Sequence, residues 1–241
     1  IDCDSGIELS WRDLVRESMK MSSAIVKRKQ GVAPSVLVGV TRDPTISFIL
    51  MVAAWNVGAM YLPVNPSLRK PEIQSVLSRL SGENLVVVAG ESEVGQWLFS
   101  GCLIPLSEIQ NQGPDTHETS HVSFGPSDKF MFGLMTSGST GQPKLIKLSA
   151  HNLFHAAQIE LRNDPKLNGK CVFNIRPHFT SGGCNSIWPT VYSAGTILQS
   201  REASQISRFS RLRSIFKKYH IDLFIVSPSM LDRKSTRLNS S

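Results

Sequence analysis

Nine consecutive residues carry the densest chemistry in this chain: Thr136, Ser137, Gly138, Ser139, Thr140, Gly141, Gln142, Pro143 and Lys144. Two glycines allow a backbone to turn until its N–H groups converge on one anion. Four hydroxyls add donors, and Lys144 adds a mobile positive charge. The set suits phosphate. It is not a Walker A loop, which needs G-x-x-x-x-G-K-[ST]; here Gly138 and Gly141 are three apart and a proline precedes the lysine. A Ser/Thr/Gly-rich run by itself is more often a solvated turn, so the weight falls on its ordered ending, Gly-x-Pro-Lys, and on its surroundings.

Those surroundings read as alternating strands and helices. Ser10 and Asp13 form a capping-box pattern that opens a helix to about residue 29, with Leu14, Val15, Ile25 and Val26 among its apolar positions. A buried strand follows over 35–40. Asp43-Pro44 then supplies an N-cap and a first-turn proline for an apolar helix to residue 57, and 59–64 is extended again, as in a βαβ unit. A short helix from Lys70, a strand over 85–89 and a weaker edge strand over 102–106 complete a first layer, 1–110.

Residues 111–128 lack periodicity and read as a linker. A second layer, 129–232, then carries the phosphate loop. Its elements are an apolar run over 130–135 leading into the loop, a helix opening at Ser149, strands over 171–176 and 196–198, a helix over 204–219 and a strand over 221–226. The polar run 233–241 reads as a non-native tail. The fold class expected is α/β, with layered parallel-rich sheets and flanking helices.

Composition narrows the function classes. With 241 residues and 41% hydrophobic content the chain can bury a sizeable core. No stretch reaches the ~20 apolar residues of a membrane span. Its four cysteines form no C-x-x-C, which argues for a reducing, cytoplasmic setting rather than a disulfide framework. The net charge of +7 is local: residues 201–241 hold nine basic and three acidic side chains, interleaved with apolar residues at helical spacing, so the excess suits a solvated helix face rather than nucleic acid. No metal-ligand set stands out.

The string 136–144 resembles the signature loop of the adenylate-forming superfamily, which comprises acyl-CoA synthetases, peptide-synthetase adenylation domains and luciferase-like ligases. The likeness extends over about residues 9–232. Residues 53–66, Ala-Ala-Trp-Asn-Val-Gly-Ala-Met-Tyr-Leu-Pro-Val-Asn-Pro, are similar to an early structural motif of that family. Residues 177–183 are similar to the motif lining its acyl pocket, and 219–230 to the strand and Pro-containing turn that follow.

The resemblance implies ATP-dependent activation of a carboxylic acid to an acyl-adenylate, with Mg²⁺, then transfer to the thiol of CoA or of a carrier protein's phosphopantetheine. It implies ATP phosphates on Thr136, Ser137, Gly138, Ser139, Thr140, Gly141 and Lys144, a catalytic Lys144, and an acid pocket lined by Phe179, Thr180, Gly182 and Gly183. Three departures stand out. Leu145 follows the loop lysine where many members have glycine. The helix start carries Ala150-His151. The aromatic-His pair of the pocket is replaced by Phe179-Thr180, which leaves His178 a structural or surface role.

The family's Thr-Glu motif, ribose-binding Asp, hinge and C-terminal lid lysine have no counterpart in these residues. The expectation is therefore a front portion whose intact parent is the enzyme. The alternative is a catalytically incompetent piece that retains a partial nucleotide-binding loop.

Overall fold

The computed structural model describes residues 1–90, 103–110, 129–136, 144–185, 187–200 and 209–226. The chain forms two compact units, one of Leu9–Leu153 and one of Ile1–Glu8 with Phe154–Ser241.

In the first unit α1 (Trp11–Arg28) begins as the sequence predicts. The Ser10 hydroxyl accepts from the Asp13 amide at 3.1 Å, and the Asp13 carboxylate accepts from the Ser10 amide at 3.2 Å. The helix buries Leu14, Met21 and Ile25, whereas Val15 is on the exposed side. Helix α2 (Pro44–Asn56) starts on Asp43, whose carboxylate accepts from the amides of Thr45 and Ile46. It is apolar on every side and buries Ile49, Leu50, Met51, Ala53, Ala54 and Trp55, as a helix between a sheet and another helix must.

Among the described residues the sheet of this unit has six strands. Strand β1 (Val36–Val40) lies parallel to both β2 (Met60–Val64) and β3 (Leu85–Ala89), and β4 (Leu103–Pro105) adds to β3. On the other side β5 (Phe130–Thr136) lies parallel to β2, and β6 (Lys144–Ser149) is antiparallel to β5, giving the order β4-β3-β1-β2-β5-β6. Alternate residues Val36, Val38, Val40, Met60, Leu62 and Val64 pack with Ile73 and Val76 of α3 (Lys70–Ser78). Helix α4 (Leu106–Gln110) closes the described part of the crossover. Strands with both faces covered need near-continuous apolar sequence, and β1 and β2 are buried throughout.

Gly39 interrupts the branched side chains of β1 for a packing reason. A Cβ there would lie 2.8 Å from Cε2 of Tyr61, which is 2% exposed, hydrogen-bonded to Ser47 at 2.7 Å and tilted against Phe132. The ring cannot step aside. Gly39→Ala is expected to destabilise the protein by about 1–3 kcal/mol through overpacking. An unchanged urea midpoint would show that the Tyr61 ring has room to move.

The second unit holds a parallel sheet in the order β8-β7-β9, with β7 (Cys171–Asn174) between β8 (Thr196–Gln199) and β9 (Leu223–Ile225). Among the described residues four α-helices accompany it: α5 (Ala150–Asn163), within which the division of units falls, α6 (Ser181–Asn185), α7 (Trp188–Tyr192) and α8 (Phe209–Lys218). Phe173, Ile175, Leu198, Ile215 and Cys3 form its core, and Phe173 stacks on Phe224 at 5.3 Å.

Two features depart from the division into 1–110 and 129–232. Residues 1–3 pair with the end of β8, the Cys3 amide donating to Gln199 at 2.8 Å and the Gln199 amide to Ile1 at 3.0 Å, so the first eight residues belong with the second sheet. Strands β5 and β6 complete the first sheet instead of opening a new layer. The linker 111–128 and the tail 233–241 lie outside the described residues.

Candidate active site

Strands β5 and β6 flank the Ser/Thr/Gly run that the sequence singles out. Trp55, at the end of α2, donates its indole N–H to the Met131 carbonyl at 2.8 Å, and Phe132 is fixed by the Tyr61 ring, so β5 is tied to the apolar helix and to β2. Thr136 and Lys144 face each other as the last registered pair of the antiparallel β5–β6 ladder. Ser137, Gly138, Ser139, Thr140 and Gly141 lie between them, outside the described residues. Thr136 is half-buried and Lys144 exposed.

The mouth of this hairpin sits at the carboxyl end of β5, on the edge where β1 and β2 also end. That is the edge of an open parallel sheet at which ligands bind. Lys144 is the first residue of β6, with its backbone in register with Thr136.

Strand β6 is an element the sequence reading missed, having placed only a loop exit before Ser149. The run Lys144-Leu145-Ile146-Lys147-Leu148 mixes charge and apolar residues because an edge strand faces solvent: Ile146 and Lys147 are exposed while Leu145 and Leu148 are half-buried. The helix start at Ser149 is where the sequence places it. The Ser149 hydroxyl accepts from the Asn152 amide at 3.2 Å and the Asn152 carbonyl oxygen accepts from the Ser149 amide at 3.0 Å, a reciprocal cap with Asn in the usual Glu/Gln position.

The second group of sequence-predicted residues forms a turn between β7 and α6, wholly within the other unit. The Thr180 hydroxyl donates to the Pro177 carbonyl at 2.8 Å and accepts from the Gly183 amide at 3.1 Å, so it caps α6. Phe179 and His178 are half-buried and meet edge to face at 5.3 Å, while the Cys184 thiol donates to the His178 carbonyl. Burial pushes the Cys184 thiol far up, which leaves it an inert structural residue.

Gly183 is buried. A Cβ there would collide with the Pro177 carbonyl, so its backbone takes a place that only glycine fits. Two further side chains hold this turn that the sequence reading did not single out, Asn174 and Arg176. The available signal was a polar residue, Asn174, closing an otherwise apolar strand.

Among the described residues no group of three or more His, Cys, Asp or Glu is placed to hold a metal ion, and no helix is long and apolar enough to cross a membrane.

A family model described as AMP-binding enzyme matches residues 1–240. The chain belongs to the AMP-binding enzyme family. Among curated relatives, nonribosomal peptide synthetase kk1B of Curvularia clavata is 25% identical over 236 residues, covering 95% of this chain and 2% of that protein. The D-alanine–D-alanyl carrier protein ligase of Staphylococcus aureus is 22% identical over 225 residues, covering 93% of this chain and 44% of the ligase.

A solved structure of o-succinylbenzoate coenzyme A synthetase from Bacillus subtilis, in complex with ATP and magnesium ion, superposes with a TM-score of 0.75 at 16% identity. It covers 93% of this chain and 58% of that one. This AMP-binding chain thus has the adenylation fold and spans less than two thirds of the relatives it matches.

Proposed function

We propose that this chain contributes the phosphate loop and part of the acid pocket to an enzyme that joins a carboxylic acid to AMP, releases pyrophosphate and passes the acyl group to a thiol of CoA or of a carrier protein's phosphopantetheine. The observation that carries this reading is the β5–β6 hairpin, which holds Thr136 and Lys144 as an opposed pair at the ligand-binding edge of the sheet with a Ser/Thr/Gly run between them.

ATP is the substrate that brings the activated α-phosphorus, and Mg²⁺ would supply charge neutralisation in the reaction. The residues of this chain act on charge and position. Hydroxyls and backbone N–H groups of 136–141 take the phosphate oxygens, and the Lys144 ammonium faces the negative charge that gathers on the leaving pyrophosphate. The turn at Phe179, Thr180, Gly182 and Gly183 lines the acid side. The widely spaced cysteines, which form no disulfide framework, support a cytoplasmic setting for the reaction.

The test is pyrophosphate exchange into ATP by the native protein over a panel of aryl, amino and fatty acids. Exchange that depends on one acid class is expected; none with any acid overturns the reading. A second reading applies to the 241-residue polypeptide taken alone, which spans 58% of the ATP-bound neighbour. It binds Mg-ATP without turnover, because in-line alignment of carboxylate and α-phosphorus supplies about 7–11 kcal/mol and needs groups from the whole enzyme. Turnover by the isolated polypeptide at the rate of the native protein contradicts this second reading.

A further inference from the structure

Asn174 and Arg176 flank Ile175 at the end of β7 and fasten the turn 177–183 from two directions. Asn174 is 3% exposed; its amide N–H donates to the Gly183 carbonyl at 2.9 Å, and its carbonyl oxygen accepts from the Arg176 amide at 3.0 Å. The half-buried Arg176 guanidinium donates twice to one acceptor, the Val226 carbonyl just after β9, through Nε at 3.0 Å and Nη2 at 2.7 Å. Its remaining nitrogen, Nη1, lies 3.5 Å from the Gly182 carbonyl.

The close approach depends on the glycine. A Cβ on Gly182 would stand 3.2 Å from Nη1 and 3.4 Å from Cδ of Arg176. The guanidinium thus bridges the end of one strand to the carbonyls of the turn, and its planar fork is the geometry that two parallel N–H donors to one oxygen require.

We infer that Arg176, supported by Asn174, is a positioning residue for the acid: it holds the Phe179–Gly183 turn against the end of β9 and thereby fixes the wall that selects the carboxylic acid. The inference rests on the reading of that turn as part of the acid pocket. Arg176 does not itself touch the acid. Three of its N–H groups go to the Val226 and Gly182 carbonyls, and its contribution is to fasten the turn to the end of β9, beyond the bonds the turn makes within itself.

The inference is read in the native protein by two measurements on Arg176→Ala and Arg176→Lys. The first is hydrogen exchange at the amides of Thr180, Gly183 and Cys184, each hydrogen-bonded within the turn. Loss of protection by roughly tenfold or more is expected for alanine. A smaller loss is expected for lysine, which keeps the charge and the stem but not the fork. The second is KM for the preferred acid, expected to rise roughly tenfold for alanine, with KM for ATP within about twofold of wild type.

Unchanged protection in both variants overturns the clamp. Loosened amides with an unchanged KM for the acid, or equal rises in both KM values, overturn its role in acid selection and leave it a plain fold contact. If the alanine variant does not fold, the lysine variant decides both points. Absence of acid-dependent exchange in the wild type overturns the acid reading and this role with it, while the amide measurement still decides the clamp.

Discussion

Ile49→Asp is expected to abolish the folded protein. Ile49 is 7% exposed on α2, a helix with apolar residues on every side, where Leu50, Ala53 and Ala54 are buried as well. Burying an unpaired carboxylate costs several kcal/mol, comparable with the ~5–15 kcal/mol that holds a domain together. Ile49→Val, which removes one methylene, should cost only about 0.5–1.5 kcal/mol and serves as the control. Soluble yield and thermal melting check both. A soluble aspartate variant with a native-like melt would mean that α2 is not packed as described.

Lys144→Ala is expected to slow acid-dependent pyrophosphate exchange by roughly tens- to a thousand-fold, the usual effect of removing one charge aimed at a charged transition state. The ladder that pairs Lys144 with Thr136 fixes where its side chain starts, so the loss should fall on the chemical step more than on folding. Lys144→Arg keeps the charge but changes its reach, and should recover part of the rate. An alanine variant with unchanged exchange and unchanged KM for ATP would remove Lys144 from the site.

Much of the first unit was legible because its signals are local. Ser10 with Asp13, and Asp43 with Pro44, are caps written within four residues, and the structure uses both. Continuous apolar runs gave β1, β2 and β3 because strands covered on both faces need them. What escaped depends on pairing between distant residues. Residues 1–3 dock on β8 through bonds that span nearly the whole sequence, such as the Ile1 amine to the Ile197 carbonyl at 2.8 Å, and nothing near Ile1 announces that partner.

Strand β6 escaped because an edge strand carries exposed lysines and no clean alternation. The placing of β5 beside β2, rather than in a layer of its own, is likewise a matter of long-range register. At the candidate site the residue types that could bind phosphate were plain from sequence, and residues 177–183 stood out by their resemblance to a family motif. Its fastening by Arg176 was not, since a bond from Arg176 to Val226 crosses 50 positions and leaves no periodic trace.

In the proposed reaction a carboxylate attacks the α-phosphorus of ATP. Oxygen-18 in the carboxylate of the preferred acid tests it most directly, with thiol acceptor present and the nucleotide product read by mass spectrometry. AMP carrying one labelled oxygen and unlabelled pyrophosphate are expected, because the carboxylate oxygen that bonds the α-phosphorus leaves with AMP when the thiol takes the acyl group. ADP as the product, or AMP without the label, would contradict it.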